Sequence, residues 1–539
     1  MGAGPPGIAP GATSTRELYS RRCSAFAPRG TRYGALVGVR FVSFALLVGV
    51  GLTACSSTNA EPSAVTPELL TVPESSAQRA NEQVVSTTGS ATSPTSRTDA
   101  TSISSESSVG SESDPAACAV PPRADTDGSP TSITVWHFLD GRVRTQLENH
   151  VATFEAAHPT ANVDLVAVPG PNDTLAAWKS AAPGERPDMV LLGTDEAGSM
   201  VGDPNVLPLD GCVDEQAATF LPLVRANYTF GGQLQAAPYT VSVPVLYFDE
   251  AKAQRAGIDS ASPPANLGEL GVAVSQMLSS RATSRGLLFD TERFSGGAWW
   301  VEHWLAQQGI SSLSNANGRN GPATSTAWSS AEAIAGLTEL KAMTDSGLAT
   351  WIDNADTGFA DLLGLVDAES PSAFAIHTSG ALGDVIGFLD GGSYPDVELA
   401  VAPMPGPGTG SPIGGSAWWL AGDTPTDRKQ LAVELTDFLV SPESQAQLAA
   451  SAGYVPARME SPAVQVLSDA YRMHPELRVA FDVVLQTPVE EAYLTPISPV
   501  RAELRQILVA AVRSVFVDGA DPTAALAAAD RAASALLRS

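Results

Sequence analysis

Carboxylates and indoles are the side chains in this sequence whose placing suggests chemistry. Asp195 and Glu196 are adjacent. Paired acidic residues can act as acid and base on a glycosidic bond, and they can equally form a solvated face. Trp299, Trp300 and Trp304 fall in one segment, and Trp418 and Trp419 follow Gly414, Gly415 and Ser416. Indole faces stack on the apolar faces of sugars or on choline-like cations, and they also fill cores. Strand periodicity would set Trp418 and Trp419 on opposite faces, one in the core and the other free to face a cleft. Other chemistries lack their residues. The six histidines (137, 150, 158, 303, 377 and 474) form no HExxH or other i,i+4 metal pair, and no GxxxxGK[ST] loop occurs. Gly406-Pro-Gly-Thr-Gly410 lacks GxGxxG spacing and reads as a loop. No serine sits in GxSxG. No metal or cofactor is expected.

The elements that must position these residues begin near the first tryptophan, Trp136. A β-rich run at 133–136 precedes a helical pattern of Val143, Leu147, Val151 and Phe154. An alternating strand follows at 162–168, a helix at 175–182 and a buried-type strand at 188–193. This β-α-β-α-β order predicts a parallel sheet covered by helices. Residues 237–248 are extended but contain Pro238 and Pro244, which suits a strand leaving one sheet and entering another. Helices are expected at 249–256, 264–280 and 330–346, and strands at 372–378 and 397–403. A Gly/Pro-rich loop spans 404–416, with strand again from Trp418. Helices are then expected at 428–440, 442–452, 499–517 and 521–538.

The chain has 539 residues, with 31 Lys+Arg against 58 Asp+Glu and a net charge of −27. That balance excludes a phosphate-backbone footprint, so no nucleic-acid partner is expected. Residues 131–539 hold 22 basic and 47 acidic side chains. The first 130 residues read differently. Six arginines at 16–40 stand against one acid, Glu17, and the apolar run 41–50 is shorter than the ~20 residues of a spanning helix. This is the pattern of a secretory signal. Leu52-Thr-Ala-Cys55 resembles a bacterial lipobox, which implies lipidation at Cys55 and a chain held on the outer face of the cytoplasmic membrane. Residues 56–117 contain 25 Ser or Thr and no aromatic, the composition of a tether. Export and an even remaining count favour a Cys118–Cys212 disulfide.

Several segments, in order and with compatible spacing over about 131–539, carry a resemblance. They are Thr134-Val-Trp-His137 with Asp140-Gly141, Pro244-Val-Leu-Tyr-Phe-Asp249 with Ala256-Gly257, Ser379-Gly380, Gly414-Gly-Ser-Ala-Trp418 and Gly453-Tyr-Val-Pro456. The chain resembles the extracellular solute-binding proteins (family 1) of carbohydrate-type ABC importers, and within them the glycerol-3-phosphate-binding branch. The resemblance implies an α/β, two-lobed periplasmic-binding-protein (type II) fold. Three crossings, at 241–248, 374–378 and 453–456, would join the lobes, with a ligand cleft between them. The implied division is a signal at 1–54, a tether at 55–130, one lobe from 131–243 plus 374–452, and a second from 244–373 plus 453–539.

By the same resemblance the chain captures a small solute by hinge closure and delivers it to membrane permease subunits. It is expected to be a monomer and not an enzyme. A solute sensor or scaffold of the same fold and an exported carbohydrate-active enzyme are the alternatives. The implied ligand residues are Asp140, Glu196, Ser242, Trp299, Trp300, Ser379, Gly415, Trp418 and Tyr454. Where the branch has a phosphate-gripping arginine the chain has Ile497; Arg501 lies close by and is counted among the ligand residues as its substitute. The expected ligand is therefore a sugar, an oligosaccharide or a glycerophosphodiester.

Overall fold

Proline placement explains how the chain makes two sheets from one extended segment. In the computed structural model, the described residues are Cys118, 120–121, 128–182, 184–214, 218–290, 299–352 and 358–539. The signal, Cys55 and the tether lie outside them. Strands β1 (Thr131–His137), β2 (Ala161–Ala167) and β3 (Met189–Gly193) alternate with helices and are parallel. The short β4 (Val206–Leu207) and a hairpin of β5 (Thr229–Phe230) and β6 (Gln233–Leu234) precede β7 (Ala237–Ser242) and β8 (Pro244–Asp249). β7 joins its sheet along β13 (Gly414–Ala421), and Pro238 falls where that register shifts. Pro244 is the first residue of β8. An edge position beside a bulge and a strand start both tolerate a missing N–H. Val243 between them carries the chain from the first sheet to the second.

The first sheet runs β2-β1-β3-β13-β4, with β7 also on β13. The second contains β8, β9 (Arg285–Phe289), β10 (Ala349–Trp351), β11 (Ser372–Thr378) and β12 (Leu399–Pro403), in the order β10-β9-β11-β8-β12. Each sheet with its helices forms one lobe. The first core gathers Ile133, Val135, Leu147, Phe154 and Trp178, and the second Phe248, Met277, Leu287, Phe289 and Phe374. A third cluster, with Trp328, Leu337, Leu508 and Leu526, packs helices Ala331–Asp345, Arg501–Val517 and Pro522–Leu536 together.

Two crossings differ from the sequence expectation. The chain does not return to the first lobe at 374, because β11 pairs with β8 and β9, and β12 pairs with β8. It returns through residues 404–413. Nor does it leave again at 453. Val455 bridges to Val241, and the helices Gln465–Met473 and Glu476–Gln486 bury Leu467, Phe481 and Val484 in the first core. The last passage is the segment from Thr487 to Val500. The expected 404–416 loop is also shorter, since Gly414 to Ser416 are already strand.

Cys118 and Cys212 are joined by a disulfide across 94 residues of sequence, a link that stabilises by about 2–4 kcal/mol through the unfolded chain. It fastens the start of the described chain to the first lobe. No helix among the described residues is long and apolar enough to cross a membrane.

Gly415 has φ +125°, and a Cβ there would lie 1.9 Å from Thr240 O. Only glycine lets β13 approach β7 at this bend. Gly415→Ala is expected to cost about 2–4 kcal/mol of stability, read as a fall in the urea midpoint at unchanged slope.

Candidate functional site

A cavity of about 720 Å³ lies between the two lobes. The ends of first-lobe strands supply Thr194, Asp195, Thr240, Ser242 and Gly414–Ser416, with Phe138 and Tyr454 from adjoining loops. The second lobe supplies Trp299 and Glu302 from helix Trp299–Ala306, Asn317, and Arg501, Arg505 and Gln506 from helix Arg501–Val517. Strand ends meeting across an interlobe crevice are where open α/β sheets place ligands. The wall mixes one indole with hydroxyls. The Thr240 and Ser416 hydroxyls are 2.7 Å apart across β7 and β13. Gly414 admits the Trp299 ring, since a Cβ there would lie 3.2 Å from Cη2.

Of the residues expected to bind ligand, Ser242, Trp299, Gly415, Tyr454 and Arg501 reach the cavity. Trp300 does not. It is 1% exposed, and its ring centroid lies 5.1 Å from that of Phe289. Helical geometry turns Trp300 and Trp304 to one buried face and Trp299 away from it. Trp418 and Trp419 are both fully buried, so neither faces a cleft. β13 is an interior strand of a sheet covered on both faces, so alternation sends the two rings to opposite sides of the sheet and both into the first core. The Ser379 hydroxyl, 0% exposed, accepts a hydrogen bond from Val243 N at 3.1 Å. It braces the crossing instead of lining the cavity. Asp140 is exposed and precedes helix Gly141–Ala157 without capping it. Its charge reaches Tyr454, whose hydroxyl is pushed up to about 12 chiefly by burial and secondarily by Asp140 and Asp384.

Glu196 lies behind the wall, 5% exposed, with its carboxylate against Gly193. The neighbouring Asp195 lines the cavity in its place. Burial, reinforced by the Asp195 charge, lifts the Glu196 carboxyl from 4.5 to about 7.

Asp195, Glu302, Arg501 and Arg505 form one ion cluster across the lobes. Arg501, 1% exposed, donates from Nε to Asp195 Oδ1 at 3.1 Å. Its Nη1 and Nη2 donate to the two Glu302 oxygens at 2.7 and 2.6 Å. Arg505 Nη2 donates to Asp195 Oδ1 at 3.3 Å and lies 3.3 Å from Glu302 Oε2. Burial alone would raise both carboxyls. The Arg505 and Arg501 charges hold Asp195 down at about 2, and Arg501 with Arg505 lowers Glu302. Burial would lower Arg501, but Glu302 and Asp195 raise it. Glu302, Arg505 and Asp195 were not among the expected ligand residues. The first two carry a readable signal: Glu302 is three residues from Trp299, and Arg505 four from Arg501, so each pair shares a helix face. Ile497 contributes backbone only, its N–H donating to Asn317 O at 2.8 Å. Among the described residues no group of three or more His, Cys, Asp or Glu could hold a metal ion.

The raised Glu196 carboxyl gives a signed pH dependence. The folded state holds a proton that the unfolded state releases above about 4.5. Stability from this group is therefore fully present below that pH and lost as pH rises to about 7. Glu196→Gln is expected to raise stability at pH 8 by up to about 3 kcal/mol, with no difference below pH 4.5. Urea unfolding at the two pH values measures it, and an equal effect at both would refute the assignment.

Comparison with known proteins agrees with this geometry. The sequence profile described as bacterial extracellular solute-binding protein matches residues 149–479. The sn-glycerol-3-phosphate-binding periplasmic protein UgpB of Yersinia pseudotuberculosis is 23% identical over 373 residues, covering 66% of this chain and 81% of that one. The GacH receptor of Streptomyces glaucescens, solved unliganded and with acarbose, superposes with a TM-score of 0.61 at 20% identity, covering 76% of this chain and 99% of that one. UgpB from Mycobacterium tuberculosis, solved with glycerophosphocholine, gives 0.60 at 20% identity with the same coverage. With two lobes, a crevice between them and a profile matched over most of its length, this chain belongs to the bacterial extracellular solute-binding protein family.

Proposed function

We propose that the chain is the substrate-binding lipoprotein of an ABC importer. It takes up a sugar, an oligosaccharide or a glycerophosphodiester, and hinge closure presents the closed form to permease subunits. The observation that carries this reading is the interlobe cavity, with the Trp299 indole on one lobe and the Thr240, Ser242 and Ser416 hydroxyls on the other. An indole face suits the C–H face of a sugar, and hydroxyl pairs suit a polyol. The relatives' named ligands, glycerol 3-phosphate, acarbose and glycerophosphocholine, span the same chemistry. Binding and closure are the whole of its work in this reading, with no bond made or broken. The protein acts as a monomer. The secretory pattern at 16–50 and the Leu52–Cys55 sequence support export and lipid anchoring through Cys55, with the Ser/Thr-rich segment as tether.

A ligand that binds only the native state stabilises it by about 2.7 kcal/mol at 100 times its Kd. The purified chain is expected to melt at a higher temperature with at least one of maltose, trehalose, acarbose and glycerophosphocholine. No shift with any of them at 10 mM counts against the reading. Separately, Cys55→Ser is expected to move the protein from the membrane fraction to the soluble fraction of its host cells. Unchanged membrane association would remove the lipid anchor from the proposal.

A further inference from the structure

We infer that Arg505 is the residue that reads the solute, that Arg501 is its positioning residue, and that the ion cluster they share selects against doubly charged phosphate ligands. This rests on the solute-binding reading above. Both arginines lie on helix Arg501–Val517, one turn apart. They are engaged very differently. Arg501 is 1% exposed, and all three of its guanidinium nitrogens donate to carboxylates. It is a strut. It fixes Glu302 of its own lobe and Asp195 of the other, and these two carboxylates are the ones that hold Arg505 Nη2. Arg505 is 22% exposed and lines the cavity. Among the described residues, only its Nη2 finds an acceptor. One N–H on Nε and two on Nη1 are left on a side chain already held in place. A donor fixed before the ligand arrives loses little entropy on binding.

The charge balance decides what those donors can take. Two carboxylates and two guanidinia make the cluster neutral. Hydroxyl oxygens can accept from Arg505 without disturbing it. A phosphate monoester would bring two negative charges beside Asp195 and Glu302, and it would have to displace one of them from its arginine to gain a fork of its own. A phosphodiester brings one charge, and a sugar none. The order of preference is therefore sugar first and phosphate monoester last.

The test uses the full chain, calorimetric titration and four probes: maltose, trehalose, glycerophosphocholine and sn-glycerol 3-phosphate. Arg505→Gln is expected to weaken the best probe by about 10- to 100-fold and to leave the unliganded melting temperature within a few degrees. Arg505→Lys should recover part of the loss. Arg501→Lys should lower the unliganded melting temperature, because it leaves Glu302 without its paired donors. Affinity of Arg505→Gln within twofold of the parent overturns the inference. So does a purely structural outcome, in which Arg505→Gln lowers the melting temperature and keeps the affinity. Tightest binding of sn-glycerol 3-phosphate overturns the charge selection. If the parent protein binds none of the four probes and also shows no melting shift with maltose, trehalose, acarbose or glycerophosphocholine, the solute-binding reading itself is what fails.

Discussion

Charges of opposite sign, drawn from both lobes, with Arg501 and Glu302 buried and Asp195 and Arg505 facing the cavity, set the geometry of the crevice. Asp195 leaves the end of β3, while Arg501 and Arg505 rise from a helix more than 300 residues later. Removing Arg501 from this group would strand the Glu302 charge in a poorly solvated place, which is far costlier than losing a surface pair. The neighbouring contacts are arranged to let the charges meet. Gly198 sits so close to the last crossing that a Cβ would lie 2.6 Å from Ser498 N and O. Arg319, from the second lobe, donates to Ala226 O and Asn227 O at the end of a first-lobe helix, at 3.1 and 3.0 Å. Its guanidinium lies 4.9 Å from the Phe230 ring centroid. Each is a contact between the two lobes of the kind that can be exchanged when a hinge moves.

Much of this architecture is legible in the sequence because the signals are local. The alternation of strand and helix from Thr131 to Gly193, the two prolines around Val243 and the C-terminal helix pair all follow from spacing. The crossings at 374 and 453 were misplaced because pairing partners are not written locally. Ser372–Thr378 is an apolar run that would suit either sheet, and only its pairing with β8 and β9 assigns it. The helices after Gly453 are amphipathic, and an apolar stripe does not say which core it meets. The same limit governs the site. Spacing sets Trp299 and Glu302 on one helix face, but it cannot say that Asp195, not Glu196, turns to the cavity. That depends on the bend after Gly193, where Glu196 folds back against the strand.

The acidity of the chain also takes on a location. Residues 131–539 carry a large acidic excess, yet the cavity's own charges cancel. The excess therefore lies outside the cavity, and its exposed part is screened by water and salt. It bears on solubility and on encounters with other surfaces and leaves the crevice electrically quiet. Three successive non-glycine residues beside that crevice, Asn315, Ala316 and Asn317, hold left-handed backbone, a conformation that costs L-residues free energy. Asn317 offsets this by donating from Nδ2 to Glu491 O and Leu494 O, both at 2.9 Å, so that the turn clasps the last crossing against the second lobe.

The position of β13 has a kinetic consequence. The second sheet is complete in one uninterrupted stretch from Pro244 to Pro403. The first sheet must hold a gap between β3 and β4 until residues 414–421 arrive to fill it. Long-range closure is slow, because chain entropy is lost before the contacts that reward it form. As the chain emerges from synthesis, the second lobe can consolidate first, while the earlier-made half waits with β3 unpaired along one edge. That open edge is the aggregation-prone stage of this molecule's life, and it closes only when the last fifth of the chain is being made.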